Sequence, residues 1–164
     1  MQNDIRLESS RLFLYPISDA ETETLIKSEK DPALRQAYTE MLQGCLREPQ
    51  RRVWHAVWLM ELKSRPGTVV GDFCFKGVMP DGAVEIGYGL REGFCGNGYM
   101  TEALRTAADW ALAQPGITRV EAETEPDNSP SQRVLAACGF EPTGTMGQEG
   151  PRFAYRGSRQ RANR

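Results

Sequence analysis

Residues 95–104 read Cys-Gly-Asn-Gly-Tyr-Met-Thr-Glu-Ala-Leu, a turn with glycines at 96 and 98 that runs straight into an apolar helical pattern. Glycine has no side chain to cover the backbone, so such a turn bends sharply and leaves its N–H groups bare. At the start of a helix those N–H groups sit at the positive end of the helix dipole and hold an anion without a charged side chain. Phosphate binding is the chemistry on offer, although a plain helix cap would use the same residues. Two familiar phosphate loops are excluded by the neighbours. A P-loop needs Lys and then Ser or Thr after the second glycine, where Tyr99-Met100 stands. A dinucleotide fingerprint needs a third glycine where Thr101 stands, and it belongs to the first βαβ unit rather than past the middle of a chain.

Other residues of reactive type lie on both sides of this turn. Glu85 opens the run Glu-Ile-Gly-Tyr-Gly-Leu at 85–90. Glu121, Glu123 and Glu125 alternate with Val120, Ala122 and Thr124, so the three acids share one face of a strand. Such a face either attracts a cationic amine or is simply solvated. Asn128 and Ser131 have the spacing of a helix cap. His55 is the one histidine and stands among apolar neighbours, which suits a core or cleft-wall residue. Cys45, Cys74, Cys95 and Cys138 form no CxxC or zinc spacing, so reduced thiols and no metal site are expected. No base stands beside Cys95 to make it a nucleophile.

The elements that must position these groups follow from pattern. Residues 5–17 suit a strand arriving at Pro16. Ser18 with Glu21 forms a capping box, and Asp31-Pro32 starts a second helix that Pro49 closes. Residues 53–63 are apolar on both alternating sets and read as a strand covered on both faces. Arg65-Pro66-Gly67 and Pro80-Asp81-Gly82 are turns flanking a strand at 68–76, and a further strand covers 83–90. After the glycine turn, Met100, Ala103, Leu104, Ala107, Ala108 and Ala111 make one helical stripe ending at Pro115-Gly116. A strand at 118–125 then lies parallel to 83–90 through a right-handed crossover. A last helix runs from Asn128 or Ser129 to Gly139, before closing strands at 140–146 and 151–156.

With 164 residues and 40% hydrophobic content, the chain makes one domain, residues 1–164, with a full core. It has no apolar run of membrane length and no signal-like start, so a cytoplasmic protein is expected. The segment 152–164 holds five arginines and no acid, leaving fifteen basic against twenty-two acidic residues elsewhere. That acidic excess opposes nucleic-acid binding, and Arg159, Arg161 and Arg164 alone would neutralise only about three phosphates. A closing strand followed by a solvated end is the expectation for this segment.

The order of elements, with a glycine turn between the fourth strand and the third helix, resembles the GNAT superfamily of acetyl-CoA-dependent N-acyltransferases. The motifs LESSRLFLYPIS at 7–18, EIGYGL at 85–90, GNGYMTEAL at 96–104 and PDNSPSQRVLAACGFEPTG at 126–144 are similar to the RimJ/RimL-type branch. The family loop Gln/Arg-x-x-Gly-x-Gly/Ala falls here on Cys95, Gly98 and Met100, and Gly98 alone matches strictly. The resemblance implies an α/β (α+β) GNAT fold, a mixed, mostly antiparallel sheet in which the parallel fourth and fifth strands splay apart. It implies a coenzyme A site at Tyr88, Gly89, Leu90, Arg91, Phe94, Cys95, Gly96, Asn97, Gly98, Tyr99, Met100 and Thr101, with Asn128 and Ser131 across the cleft. Glu85 is the implied proton acceptor, Ser131 the implied proton donor to the thiolate, and Glu123 a substrate contact. Many relatives carry a tyrosine four residues after Ser131, where this chain has Leu135. The acceptor would be a small-molecule amine or a protein N-terminal amine. A coenzyme A-binding module without turnover is the alternative, and monomer or homodimer is left open.

Overall fold

The computed structural model describes residues 4–157. Eight strands form one sheet: β1 Leu7–Glu8, β2 Leu12–Pro16, β3 Val57–Leu62, β4 Val69–Val78, β5 Ala83–Leu90, β6 Arg119–Glu123, β7 Glu141–Met146 and β8 Pro151–Tyr155. Their spatial order is β1-β2-β3-β4-β5-β6-β8-β7, and β5 with β6 is the parallel pair. Four α-helices cover it: α1 Asp19–Ser28, α2 Pro32–Arg47, α3 Tyr99–Leu112 and α4 Ser129–Cys138.

The helix ends are where local chemistry puts them. Ser18 and Glu21 form the full capping box of α1, and Asp31 caps α2 with Pro32 behind it. Asn128 caps α4, and Gly139 ends it in the left-handed conformation. Two expectations need correction. The first strand is a hairpin, because Ser9 N–H bonds the Leu12 carbonyl and the Ser9 hydroxyl accepts from Leu12 N–H, folding the Glu-Ser-Ser segment into a turn. The strand expected over 53–63 begins only at Val57, and Pro49–Trp54 is a 3-10 segment. There Arg52 reaches back to Asp19 Oδ1 at 2.7 Å and to the Ile17 carbonyl at 3.0 Å, while Trp58 Nε1 donates to the Val53 carbonyl. Val53 and Trp54 are both buried, so the apolar run reflects packing of a compact turn rather than strand alternation.

The main core lies between the sheet and α3 with α4. The whole predicted stripe of α3, from Met100 to Ala111, is buried there. Trp54, Trp58, Phe73, Phe75 and Trp110 pack ring to ring beneath it. A smaller apolar layer of Ile17, Tyr38 and Val57 seats α1 and α2 on the opposite face. Among the described residues, no helix is long and apolar enough to cross a membrane.

Leu104 is 0% exposed at the centre of the α3 stripe. Leu104→Ala is expected to lower the unfolding free energy by about 2–5 kcal/mol, read from the urea midpoint at constant slope. A change well under 1 kcal/mol would show that α3 does not anchor the core.

Candidate functional site

β5 is paired with β4 as far as Leu90, but with β6 only at Ala83↔Arg119, Val84↔Val120 and Glu85↔Glu121. β6 continues to Glu123 on β8. From Ile86 to Leu90, therefore, one edge of β5 faces a gap inside the sheet. An extended molecule can pair with that edge as a strand would. Gly87 and Gly89 put no side chain of their own over the α1/α2 face: a Cβ at Gly89 would meet open space, and one at Gly87 would meet the Lys76 side chain at 3.1 Å.

The gap leads to the glycine turn. Gly93, Gly96 and Gly98 all have positive φ, at 89°, 82° and 77°. Asn97 Nδ2 donates to the Phe94 and Cys95 carbonyls, which folds the loop on itself. Gly98 is the N-cap of α3 and offers no side chain to its first N–H groups. A 380 Å³ cavity lies there, lined by Leu90, Gly96, Gly98, Met100 and Arg133 among others. Met100 belongs to the buried core and also borders this cavity, forming part of its apolar floor. Tyr99 lies under the Arg11 guanidinium, 4.5 Å from the ring centre, and Thr101 borders the same cavity. Cys95 is exposed.

Across the gap, Asn128 Oδ1 accepts from Ser131 N–H at 3.1 Å. The Ser131 hydroxyl lies 2.5 Å from the Tyr88 hydroxyl, linking α4 to β5. Burial raises the Tyr88 pKa, and the Ser131 bond pulls it partly back. Thr124, just beyond the end of β6, has a buried hydroxyl with no hydrogen-bond partner among the described residues.

The other face of the gap is charged. Glu85 Oε2 pairs with Lys76 Nζ at 2.8 Å and Glu85 Oε1 with Arg152 at 3.0 Å. Burial pushes the Glu85 carboxyl up, but Lys76 and Arg152 outweigh it and hold the pKa below its ordinary value. Arg152 also meets Glu121 at 3.3 Å and Glu123 at 3.2 Å, and Glu123 accepts from Glu149 N–H. The expected acidic face is thus present at Glu121 and Glu123, neutralised in part by Arg152 from β8 and, at Glu121, also by Arg119 at 2.9 Å. His55 stands apart from it, 3.0 Å from Glu48. Among the described residues, no His, Cys, Asp and Glu side chains group as a metal site. The expectation for Arg159, Arg161 and Arg164 lies outside the described residues.

Sequence reasoning missed a second carboxylate on this face. Asp72, paired with Gly89 in the β4–β5 register, accepts from the Tyr38 hydroxyl at 2.6 Å. Burial raises its pKa, opposed by the Tyr38 bond and by Arg91. Asp72 and Tyr38 line a 440 Å³ cavity with Leu25, Glu29 and Leu90. Leu90 borders this cavity and the one at the glycine turn, so the two approach each other at the end of β5. A polar residue inside the apolar run Val69–Phe75 was the available signal. Arg133 was missed as well.

Residues 11–141 match the family description "Acetyltransferase (GNAT) domain". The chain belongs to the GNAT family. It is 33% identical over 66 residues to the uncharacterised N-acetyltransferase p20 of Bacillus licheniformis, covering 40% of this chain and 37% of that protein. It is 36% identical over 74 residues to the uncharacterised N-acetyltransferase YjdG of Bacillus subtilis (strain 168), covering 44% of each. These matches span less than half the length of those relatives. The fold is shared with RimL, a ribosomal L7/L12 alpha-N-protein acetyltransferase solved with coenzyme A, at 20% identity and a TM-score of 0.71 over 92% of this chain and 97% of that one. It is also shared with the Salmonella typhimurium acetyltransferase described as modifying the N-terminal serine of L7/L12, at 20% identity and a TM-score of 0.71 over 94% and 100%.

The raised pKa of Asp72 carries a sign that can be tested. A carboxyl that holds its proton more tightly folded than unfolded loses stability as pH rises from the usual Asp range through its folded value. Asn in its place still accepts the Tyr38 proton and carries no charge. Asp72→Asn is expected to raise the thermal midpoint at neutral pH, and the difference should vanish as pH falls below the usual Asp range. Equal midpoints at neutral pH would mean that burial does not penalise this carboxylate.

Proposed function

We propose that this chain is an acetyl-CoA-dependent N-acetyltransferase that passes the acetyl group directly to a primary amine, a protein N-terminus or a small molecule. The observation that carries the reading is the early end of β5–β6 pairing, which leaves a strand edge leading into a left-handed glycine turn at the head of α3. The residues fit coenzyme A on their own chemistry. Bare N–H groups between Phe94 and Thr101, with Arg133 nearby, suit the pyrophosphate. The free edge Gly87–Leu90 suits the pantetheine amides, and Asn128 and Ser131 border the other side. When bound, acetyl-CoA supplies an activated acyl group on a good leaving thiol.

The chain's own residues then have distinct tasks. Glu85 stands at the head of the gap, ionised, and accepts a proton from the acceptor's ammonium as Lys76 or Arg152 gives way. N–H groups of β5 polarise the acetyl carbonyl. Ser131 offers its hydroxyl to the departing sulfur. Glu123, with Glu121, biases the face toward a cationic acceptor to the extent that Arg152 leaves them unneutralised. The full engagement of Glu85 and the buried Leu135 favour one second reading, a coenzyme A-binding module without turnover. Thiol release from acetyl-CoA with a panel of amines and N-terminal peptides separates them. Tight binding with no transfer to any acceptor would establish the module.

Gly98→Trp is expected to abolish coenzyme A binding in calorimetry, because φ of 77° strains any side chain there and the indole fills the anion's space. Unchanged affinity would take the turn out of the site. Glu85→Gln should cut turnover by roughly 10²-fold, the ordinary size of a lost general base, with coenzyme A affinity unchanged. Wild-type turnover in that variant would make Glu85 a purely structural ion-pair member.

A further inference from the structure

The core-facing wall of the gap holds three hydroxyls, of which the reading above uses one. β5 and β6 run parallel and are in register at Glu85↔Glu121. Three residues beyond that last pair on each side of the gap stand Tyr88 on β5 and Thr124 just past the end of β6. Both lie on the core side, Tyr88 alternating with Ile86 and Val84, Thr124 with Ala122 and Val120. Tyr88 is bonded to Ser131 at 2.5 Å. Thr124 is 3% exposed, and its hydroxyl has no partner among the described residues. A buried hydroxyl left unpaired is costly in the free protein, so it points to a partner that arrives with a bound molecule. The next turn of α4 supplies none: Leu135 is 0% exposed and apolar.

We propose that Tyr88, Ser131 and Thr124 form a hydroxyl pocket that holds the sulfur of coenzyme A as its thiolate. The proposal rests on the cofactor assignment made above. Tyr88 is the positioning residue. Either hydroxyl of the bonded pair can donate; with the phenol as donor once the cofactor is seated, the serine proton is left to be directed into the gap. Thr124 donates a second hydrogen bond from the opposite wall. Hydrogen bonds from these two donors favour the charged sulfur over the thiol. The pocket thereby replaces, with residues from β5 and from the end of β6, the hydroxyl that Leu135 does not provide. Burial keeps the Tyr88 phenol protonated across the neutral range, so its donor role persists there.

The test reads the cofactor thiol directly. Thiolate absorbance of coenzyme A bound to the full chain is titrated against pH, with the complex of a coenzyme A analogue lacking the sulfur subtracted to remove protein tyrosines and cysteines. In the wild type the bound thiol should titrate below the free one. Tyr88→Phe, Ser131→Ala and Thr124→Val should each raise the bound thiol's pKa by about one unit, the size of one charge-assisted hydrogen bond. Thr124→Ser, which keeps the hydroxyl, should restore it. Tyr88→Phe should also lower kcat with little change in KM for the amine. A bound thiol that titrates like the free one in the wild type, or that does not move in the variants, overturns the pocket and leaves the functional reading standing. Failure of coenzyme A to bind at all would overturn both.

Discussion

The structure depends on the length of one pairing. β5 and β6 stay together for three residue pairs and then separate, while each keeps its other neighbour: β4 follows β5 to Leu90, and β8 follows β6 to Glu123. The gap is therefore held between two hydrogen-bonded half-sheets and does not depend on local softness. Small residues make it tenable from below. Ala103, Ala107, Ala108 and Ala111 bring α3 close under the sheet, so the helix that starts at the glycine turn is also the helix that fills the core beneath the diverging strands. The glycine-turn end of α3 and the free edge of β5 are fixed relative to each other by the same packing.

On the opposite face, two carboxylates of the same sheet are driven in opposite directions. Glu85 is held ionised by Lys76 and Arg152, whereas Asp72 has a neutral phenol as its bonded partner and is pushed up by burial. Four residues of β5 separate Glu85 from Gly89, the partner of Asp72, which is roughly 13–14 Å of strand. Gly89 leaves its end of that interval open, while Lys76 lies over Gly87 on its way to Glu85. Arg152 ties Glu85, Glu121 and Glu123 into one cluster, so the potential of this face is set by β8 as much as by the acidic strand itself.

What was legible in the sequence was local. The capping box at Ser18, the Asp31-Pro32 start, the α3 stripe and the Gly139 stop each depend on residues within one or two turns, and each stands where pattern put it. The early hairpin escaped because Ser9 is fixed by Glu102, distant in sequence, at 2.9 Å. The 3-10 segment escaped because its geometry is held by Arg52 reaching back to Asp19 and Ile17. At the site, the glycine turn could be read from residue type alone. The pairing of Tyr38 with Asp72, of Tyr88 with Ser131 and of Arg152 with three glutamates could not, since each joins elements whose register only the folded sheet defines.

The two outer edges of the sheet are poor templates. β1 has two residues, and β7 combines Pro142, which lacks an N–H, with a register shift and a left-handed Gly144. Neither outer edge offers a long, regular row of donors and acceptors. The extended stretch of backbone that does so lies in the interior, along Ile86–Leu90. A sheet built this way resists growing outward by strand addition from other chains, and its capacity for backbone pairing is directed inward, to the gap between β5 and β6, where the half-sheets on either side are already paired and leave no free outer edge to extend.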